Sequence, residues 1–157
     1  MKITICLSIL FYPEMLAIKE ALENSGHEVL VPPSEVADGE GKMIPVAEYY
    51  KLRHADEVGE DWVWERKKEA MRWHFDKVAA ANAVLILNFD KHGIKNYIGA
   101  NTLLEMGLAF HLGKPIYLWN PIPEGMSYLE EIKGMMPVVI NNDLSKIILR
   151  QRTPACR

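Results

Sequence analysis

The stretch KITICLSILFYPEM, residues 2–15, joins a short apolar run to the start of a helix. Pro13 suits the first turn of a helix, and Glu14 complements the positive end of the helix dipole. Apolar residues then recur at helical spacing as far as Leu22, and HEVLVP at 27–32 is typical of a second strand. The sequence therefore predicts a β-α-β unit at its start.

Five short apolar runs alternate with helical patterns along the chain. After the first two, they are AVLILN at 83–88, PIYLWNP at 115–121 and PVVI at 137–140. Parallel strands need crossover helices and are buried on both faces. We therefore predict a single α/β domain over residues 1–150, followed by a basic tail at 151–157. The expected architecture is a flavodoxin-like or Rossmann-like three-layer sandwich with a five-stranded parallel sheet in the order 2-1-3-4-5.

Two segments lie between the second and third runs. Residues 32–59 mix Pro, Gly and charged residues, which predicts a long irregular excursion with one short helix. Such loops are often lids or binding loops. Residues 61–81 then turn helical, with Met71, His74 and Val78 on one face.

The composition argues against several classes of protein. Charged residues make up 25% and hydrophobic residues 49% of the chain, which is typical of a globular domain. The net charge of -3 argues against a general nucleic-acid binder. No apolar run reaches membrane-spanning length, and the start lacks a signal-peptide cleavage site. Cys6 and Cys156 suggest neither a disulfide framework nor a metal pair. We expect a cytoplasmic protein that uses no metal or other cofactor and binds neither nucleic acid nor membrane.

The predicted strand order indicates where a ligand would bind. The first strand ends near Ser8 and lies beside the third, which ends near Asp90. Open α/β sheets bind ligands where the connections of two such strands leave toward opposite faces. The loop after the third strand leads into GANTLLEMG, residues 99–107. Glu105 therefore lies within about one turn of the helix end that faces this crevice.

Glu105 has a structural and a chemical interpretation. With Thr102 as N-cap, Glu105 falls three residues later and completes a capping box, which needs no ligand. If Asn101 is the N-cap, the carboxylate is free to point elsewhere. The chemical interpretation gains support from residues 103–112, where Glu105 is one of only two ionisable residues. A carboxylate in such apolar surroundings is costly unless it is partnered or works in a cleft. We expect Asn101 to cap the helix and Glu105 to face the crevice shared with Ser8.

The chain resembles the nucleoside 2-deoxyribosyltransferase-like superfamily, which includes the 2'-deoxynucleoside 5'-phosphate N-hydrolases. The resemblance rests on CLSI at 6–9, on AVLILN, on the polar-x-x-Glu-x-Gly pattern of NTLLEMGLAF at 101–110 and on GKPIYLWNP at 113–121. It implies an enzyme in which Glu105 attacks the anomeric carbon and forms a covalent glycosyl-enzyme intermediate. The implied reaction is hydrolysis or transfer at the N-glycosidic bond of a small-molecule nucleoside or nucleotide.

The departing base would also need a proton. The nearest acids by sequence are Asp90 and Asp76, and Asp90 is our candidate for the second catalytic residue. An anionic group of the substrate would bind Ser8 and the amides at a helix N-terminus.

Several positions differ from the pattern of the superfamily. A Tyr of the first strand aligns with Thr4, and Tyr12 lies close enough in sequence to substitute for it. The acidic position six residues before the nucleophile is Gly99, and the Asp of the preceding helix aligns with His74. Glycine at that place would also let a ligand approach closely.

The resemblance implies an assembly as well as a site. Members form dimers or higher assemblies in which a loop of the neighbour completes the site, so we expect a homo-oligomer. Asn120 and Ser127 occupy the corresponding neighbourhood here. The predicted substrate-binding residues are Ser8, Tyr12, His74, Gly99, Asn101, Thr102, Asn120 and Ser127.

Two other functions compete with this one. A lysine-decarboxylase-like phosphoribohydrolase also carries Thr and Glu on a Gly-rich turn between strand and helix, but it needs a glycine doublet where this chain has GANT at 99–102. A catalytically silent nucleotide-binding or sensor module is the alternative from a different class. It is favoured by the missing Tyr and the missing acidic position.

Overall fold

A computed structural model describes residues 1–55 and 61–148 of the chain. In chain order the strands are β1 (Lys2–Leu7), β2 (Glu28–Leu30), β3 (Glu35–Ala37), β4 (Met43–Pro45), β5 (Ala83–Leu87), β6 (Ile116–Leu118) and β7 (Val138–Val139). The α-helices are α1 (Tyr12–Asn24), α2 (Val46–Ala55), α3 (Asp61–Ala80), α4 (Ala100–His111) and α5 (Leu129–Gly134). Within these described ranges, no helix is both long enough and apolar enough to cross a membrane.

The parallel α/β sheet predicted from the sequence is confirmed. Its five strands run in the order β2-β1-β5-β6-β7, and every pairing is parallel. Numbered along the whole chain, this order differs from the predicted 2-1-3-4-5, because β3 and β4 pair with each other outside the sheet. Counted alone, the five sheet strands follow the predicted order. The predicted basic tail at 151–157 lies outside the described residues.

The side chains of β1 point alternately into two cores. Ile3 and Ile5 are fully buried and share a cluster with Met15 of α1. Cys6 is buried in the cluster on the opposite face, together with Met106 of α4. Successive side chains of a strand point to opposite faces, so helices cover both faces of the sheet. Cys6 is thereby directed at the helix that carries Glu105.

The segment 32–59, predicted to be irregular, contains the β3–β4 hairpin followed by α2. The Asp38 carboxylate closes the hairpin turn, because its Oδ1 accepts hydrogen bonds from the backbone N–H groups of Glu40 and Lys42 at 2.9 Å each. The two strands are three residues long and each buries one side chain, too short for an alternating pattern to stand out. Val36, Ile44 and Tyr49 of this segment form a small core together with Val63 of α3.

Two hydrogen bonds fix α3 between its neighbours. The Thr4 hydroxyl of β1 donates to the Lys77 carbonyl at 2.8 Å, near the end of α3. The Tyr49 hydroxyl of α2 donates to the Val63 carbonyl at 2.7 Å, near the start of α3. As a result, α3 is held against the sheet at one end and against α2 at the other.

Candidate active site

The start of α4 differs from the sequence prediction. Gly99 is the N-cap, with extended backbone angles of φ -75 and ψ 160, and its carbonyl accepts the first helical hydrogen bond from Leu103 N at 2.9 Å. The expectation that Asn101 caps this helix is therefore wrong, and so is the Thr102 alternative. Both residues lie inside the first turn, so neither occupies the capping position and the Asn101 side chain is free for another partner.

The Asn101 side chain bridges two charged side chains. Its Nδ2 donates to Glu105 Oε1 at 2.6 Å, one helical turn away. Its Oδ1 accepts a hydrogen bond of 2.9 Å from Lys67 Nζ on α3. The Glu105 carboxylate is thus held through one oxygen by a side chain and forms no capping box.

Burial dominates the electrostatics of Glu105. The residue is only 3% exposed. Burial raises the pKa of its carboxyl from the ordinary 4.5 to about 8, while the side chains of Cys6, Lys67 and Asn101 oppose that shift. At pH 7 roughly one carboxyl in ten is ionised. The Glu105 carboxyl therefore ionises at mildly alkaline pH.

His74 faces the second oxygen of Glu105. Its Nε2 lies 3.8 Å from Glu105 Oε2, and the His74 residue is 7% exposed. Burial, aided by the charge of Lys77, lowers the pKa of His74 from 6.5 to about 4, so the ring is neutral and the contact is no ion pair at neutral pH. Within residues 1–55 and 61–148, neither ring nitrogen nor Glu105 Oε2 has a hydrogen-bond partner. All three atoms are shielded from solvent, so among the described residues they are buried polar atoms without a partner.

The residue of β1 beside Glu105 is Cys6. Thr4 is one pleat away, where its hydroxyl is bound to the Lys77 carbonyl. Cys6 Sγ lies within 4.8 Å of a carboxylate oxygen of Glu105 and of a ring nitrogen of His74. Burial and the neighbouring Glu105 raise the pKa of the Cys6 thiol well above its usual value. Cys6 lies in an apolar strand, and nothing in that pattern predicted its contact with Glu105.

Cys6, His74 and Glu105 are also the group of residues, in the part of the chain that the structure describes, whose donor atoms are close enough to hold one metal ion. His74 and Glu105 also line a cavity.

The cavity beside Glu105 has a volume of about 380 Å³, within the range of small-molecule sites. Helix α2 forms one of its walls with Tyr49, Tyr50, Arg53 and His54. Six predicted site residues line it: Ser8, His74, Gly99, Asn101, Thr102 and Glu105.

The charges around the cavity are mostly positive. Glu105 is the one acidic residue among the lining side chains in the described ranges, whereas the basic ones are Arg53, Lys67, Lys77 and Lys91. A cavity lined by one sign of charge concentrates ligands of the opposite sign. The lining therefore fits a substrate that carries an anionic group.

Lys91 was not predicted as a site residue, but its side chain lies beside Ser8 at the end of β1. Its Nζ donates to Ser8 Oγ at 2.9 Å and to the Tyr50 hydroxyl at 3.2 Å. It also lies 5.5 Å from the ring centre of Tyr50 and 5.8 Å from that of Tyr97. The loop after β1 has no basic residue, and Lys91 comes to this place from the loop after β5. Its place directly after Asp90 was the available signal.

The structure does not bring the other predicted residues to the cavity wall. Asp90 is exposed, and its carboxylate accepts a hydrogen bond from Asn96 N at 2.9 Å in its own loop. Tyr12 donates to the Pro32 carbonyl at 3.4 Å. The Asn120 side chain donates to the Asn88 carbonyl at 3.1 Å. Ser127 and the alternative acid Asp76 are exposed and are absent from the lining of the cavity.

No family model and no curated protein matches the chain. Among solved structures, it is similar to a 2-deoxyribosyltransferase from the psychrotolerant bacterium Bacillus psychrosaccharolyticus, with a TM-score of 0.48, 17% identity, and coverage of 75% of this chain and 71% of that chain. It is also similar to a CMP N-glycosidase of Clostridium botulinum, with a TM-score of 0.44, 14% identity, and coverage of 88% of this chain and 85% of that chain. With TM-scores below 0.5, neither similarity assigns a function to this chain.

Proposed function

We propose that the protein is an enzyme that cleaves the N-glycosidic bond of a nucleoside or nucleotide, with Glu105 as the nucleophile. The observation that carries the proposal is the state of the two carboxylate oxygens. Oε1 is fixed by Asn101 at 2.6 Å, while Oε2 is buried, has no hydrogen-bond partner in the described residues, and belongs to a residue that lines the cavity. A carboxylate fixed by one oxygen presents the other in a defined direction, as covalent catalysis requires.

In the first step, Glu105 Oε2 forms a bond to the anomeric carbon of the sugar as the bond to the base nitrogen breaks. The electron pair of that bond leaves with the base, which then takes a proton. The transition state carries positive charge on the sugar ring, and the ionised carboxylate stabilises it. Asp90, predicted as the donor of that proton, lies away from the cavity lining, so the base takes its proton from water or from another lining group.

In the second step, an acceptor attacks the anomeric carbon and releases Glu105. Water gives hydrolysis, and the nitrogen of a second base gives transfer. The neutral ring of His74, with both nitrogens unpaired among the described residues, faces Glu105 Oε2. It lies on the side of the sugar that Glu105 occupies, whereas the acceptor attacks from the side that the base has left, so the proton that an attacking water loses passes to the solvent.

The charge of the cavity supports a phosphorylated substrate. Lys91 and Arg53 line the cavity, and Lys91 is held at the end of β1 by the Ser8 hydroxyl. A lysine ammonium is a common phosphate ligand. We therefore propose that a nucleoside monophosphate is a better substrate than the nucleoside without its phosphate.

The test is release of free base from a panel of nucleosides and nucleoside monophosphates, followed by chromatography. Glu105→Gln keeps the shape of the side chain and removes the nucleophile, so we expect release to fall at least a thousandfold, on the order seen when a nucleophile is lost. Glu65→Gln makes the same change at an exposed position of α3 and is the control. Base release that continues unchanged in Glu105→Gln would overturn the proposal.

Binding without turnover is the second candidate, and one observation favours it. With a pKa of about 8, most Glu105 carboxyls are neutral at pH 7 and cannot attack a sugar. Calorimetry with a nucleoside monophosphate at pH 7 and pH 9 separates the two functions. Tight binding at both values with no free base at either would select the binding module.

A further inference from the structure

The Asn101 side chain bridges Lys67 and Glu105, and the hydrogen-bonding capacity of Lys67 fixes the orientation of the Asn101 amide. A lysine ammonium has only donors, so Asn101 must turn its Oδ1 toward Lys67 and its Nδ2 toward Glu105. The two hydrogen bonds, at 2.9 Å and 2.6 Å, follow that direction. Without the ammonium, the amide could rotate and turn its oxygen toward the carboxylate. The amide oxygen of Asn101 and the carboxylate oxygen of Glu105 would then repel each other, which disfavours the ionised form of Glu105.

We propose that Lys67 is a positioning residue that acts through the Asn101 amide and orients the Glu105 carboxylate. The inference rests on the proposed function, because it assigns how the nucleophile of that reaction is prepared. Lys67 performs this role from α3, whereas Asn101 and Glu105 share α4.

The titratable and charged groups around Glu105 lie on β1, α2 and α3. Cys6 of β1 is a buried neutral thiol and His74 of α3 is a neutral ring. Lys67 is the cation that acts on Glu105 and lowers its pKa. Arg53 of α2 repels Lys67, so that burial and Arg53 together lower the pKa of the Lys67 ammonium while Glu105 raises it. Arg53 therefore affects the Lys67 ammonium, and Lys67 in turn affects the Glu105 carboxyl.

The experiment compares Lys67→Met, Lys67→Arg and the control Lys68→Met, which changes an exposed neighbour on the same helix. Two measurements are made on the full chain. The first is the pH profile of kcat for base release. The second is the pH titration of the Glu105 carboxyl by carbon NMR, with the signal assigned by its absence in Glu105→Gln. The second measurement needs no substrate.

In Lys67→Met we expect both titrations to move to higher pH by about one unit, because the nearby positive charge and the fixed orientation of the Asn101 amide are lost together. Lys67→Arg should restore most of the wild-type profile, and Lys68→Met should match it. A merely structural role would lower kcat at every pH and leave the midpoint in place. A Lys67→Met carboxyl that titrates as in the wild type would overturn the inference.

The two proposals fail in different ways. If the carboxyl midpoint moves in Lys67→Met but no nucleoside loses its base even in the wild type, the proposed function is wrong and the positioning role stands. If Lys67→Met does not fold, Asn101→Leu breaks the same bridge from the other end, and the same rise of the midpoint is expected. An unchanged midpoint in Asn101→Leu would likewise overturn the inference.

Discussion

His74 Nε2 lies 3.8 Å from Glu105 Oε2, and both side chains are buried without a hydrogen bond between them. Burial drives the two groups in opposite directions, raising the pKa of Glu105 to about 8 and lowering that of His74 to about 4. Each group therefore favours its neutral form, and the pair is kept neutral over a wide range of pH.

The opposite shifts predict opposite changes of stability with pH. The folded pKa of Glu105 lies above its ordinary 4.5, so its contribution to the free energy of unfolding is present below about pH 4.5 and is lost as pH rises to 8. The folded pKa of His74 lies below its ordinary 6.5, so its contribution is present above about pH 6.5 and is lost as pH falls to 4.

Substitution of each residue separates these contributions. Relative to the wild type, Glu105→Gln should gain free energy of unfolding between pH 4.5 and 8, on the order of 2–4 kcal/mol. His74→Gln should gain as pH falls from about 6.5 to 4. Urea unfolding at several pH values measures both trends. Curves that stay parallel to the wild type would contradict the assigned shifts.

Lys91 should determine how strongly a phosphate contributes to substrate binding. We expect Lys91→Met to raise KM for a nucleoside monophosphate by about tenfold to a hundredfold, the equivalent of a hydrogen bond to a charged group. KM for the nucleoside without its phosphate should change little. Lys95→Met, an exposed lysine of the same loop, is the control. An equal loss for both substrates would show that Lys91 does not contact the phosphate.

Gly39 in the hairpin turn should not tolerate a side chain. A Cβ at this position would lie 2.9 Å from Trp62 Cδ1 at the start of α3. We expect Gly39→Ala to lower the free energy of unfolding by about 1–3 kcal/mol, as overpacking does. Gly134→Ala, where an added Cβ meets nothing within 4 Å, is the matched control. Thermal unfolding of both variants checks the difference, and equal stability would contradict the expected clash.

The sequence by itself determined the sheet and the central residue of the candidate site. Apolar runs and helical periodicity predicted five parallel strands, because burial on both faces imposes a local pattern that a single sequence displays. Glu105 stood out for the same reason, since a carboxylate in an apolar helix is costly wherever the helix packs. The hairpin at 35–45 left no such pattern, because each of its strands buries only one side chain.

Only the tertiary structure decided which side chains meet Glu105. Lys67 reaches Asn101 across 34 positions of sequence, and Lys91 reaches Ser8 across 83. Cys6 and His74 come from a strand and a helix whose own patterns show only burial. Contacts of this kind depend on the packing of α3 and α4 against β1, and no local periodicity encodes them. The cap of α4 was decided in the same way, because Lys67, one of the two partners of Asn101, lies on another helix.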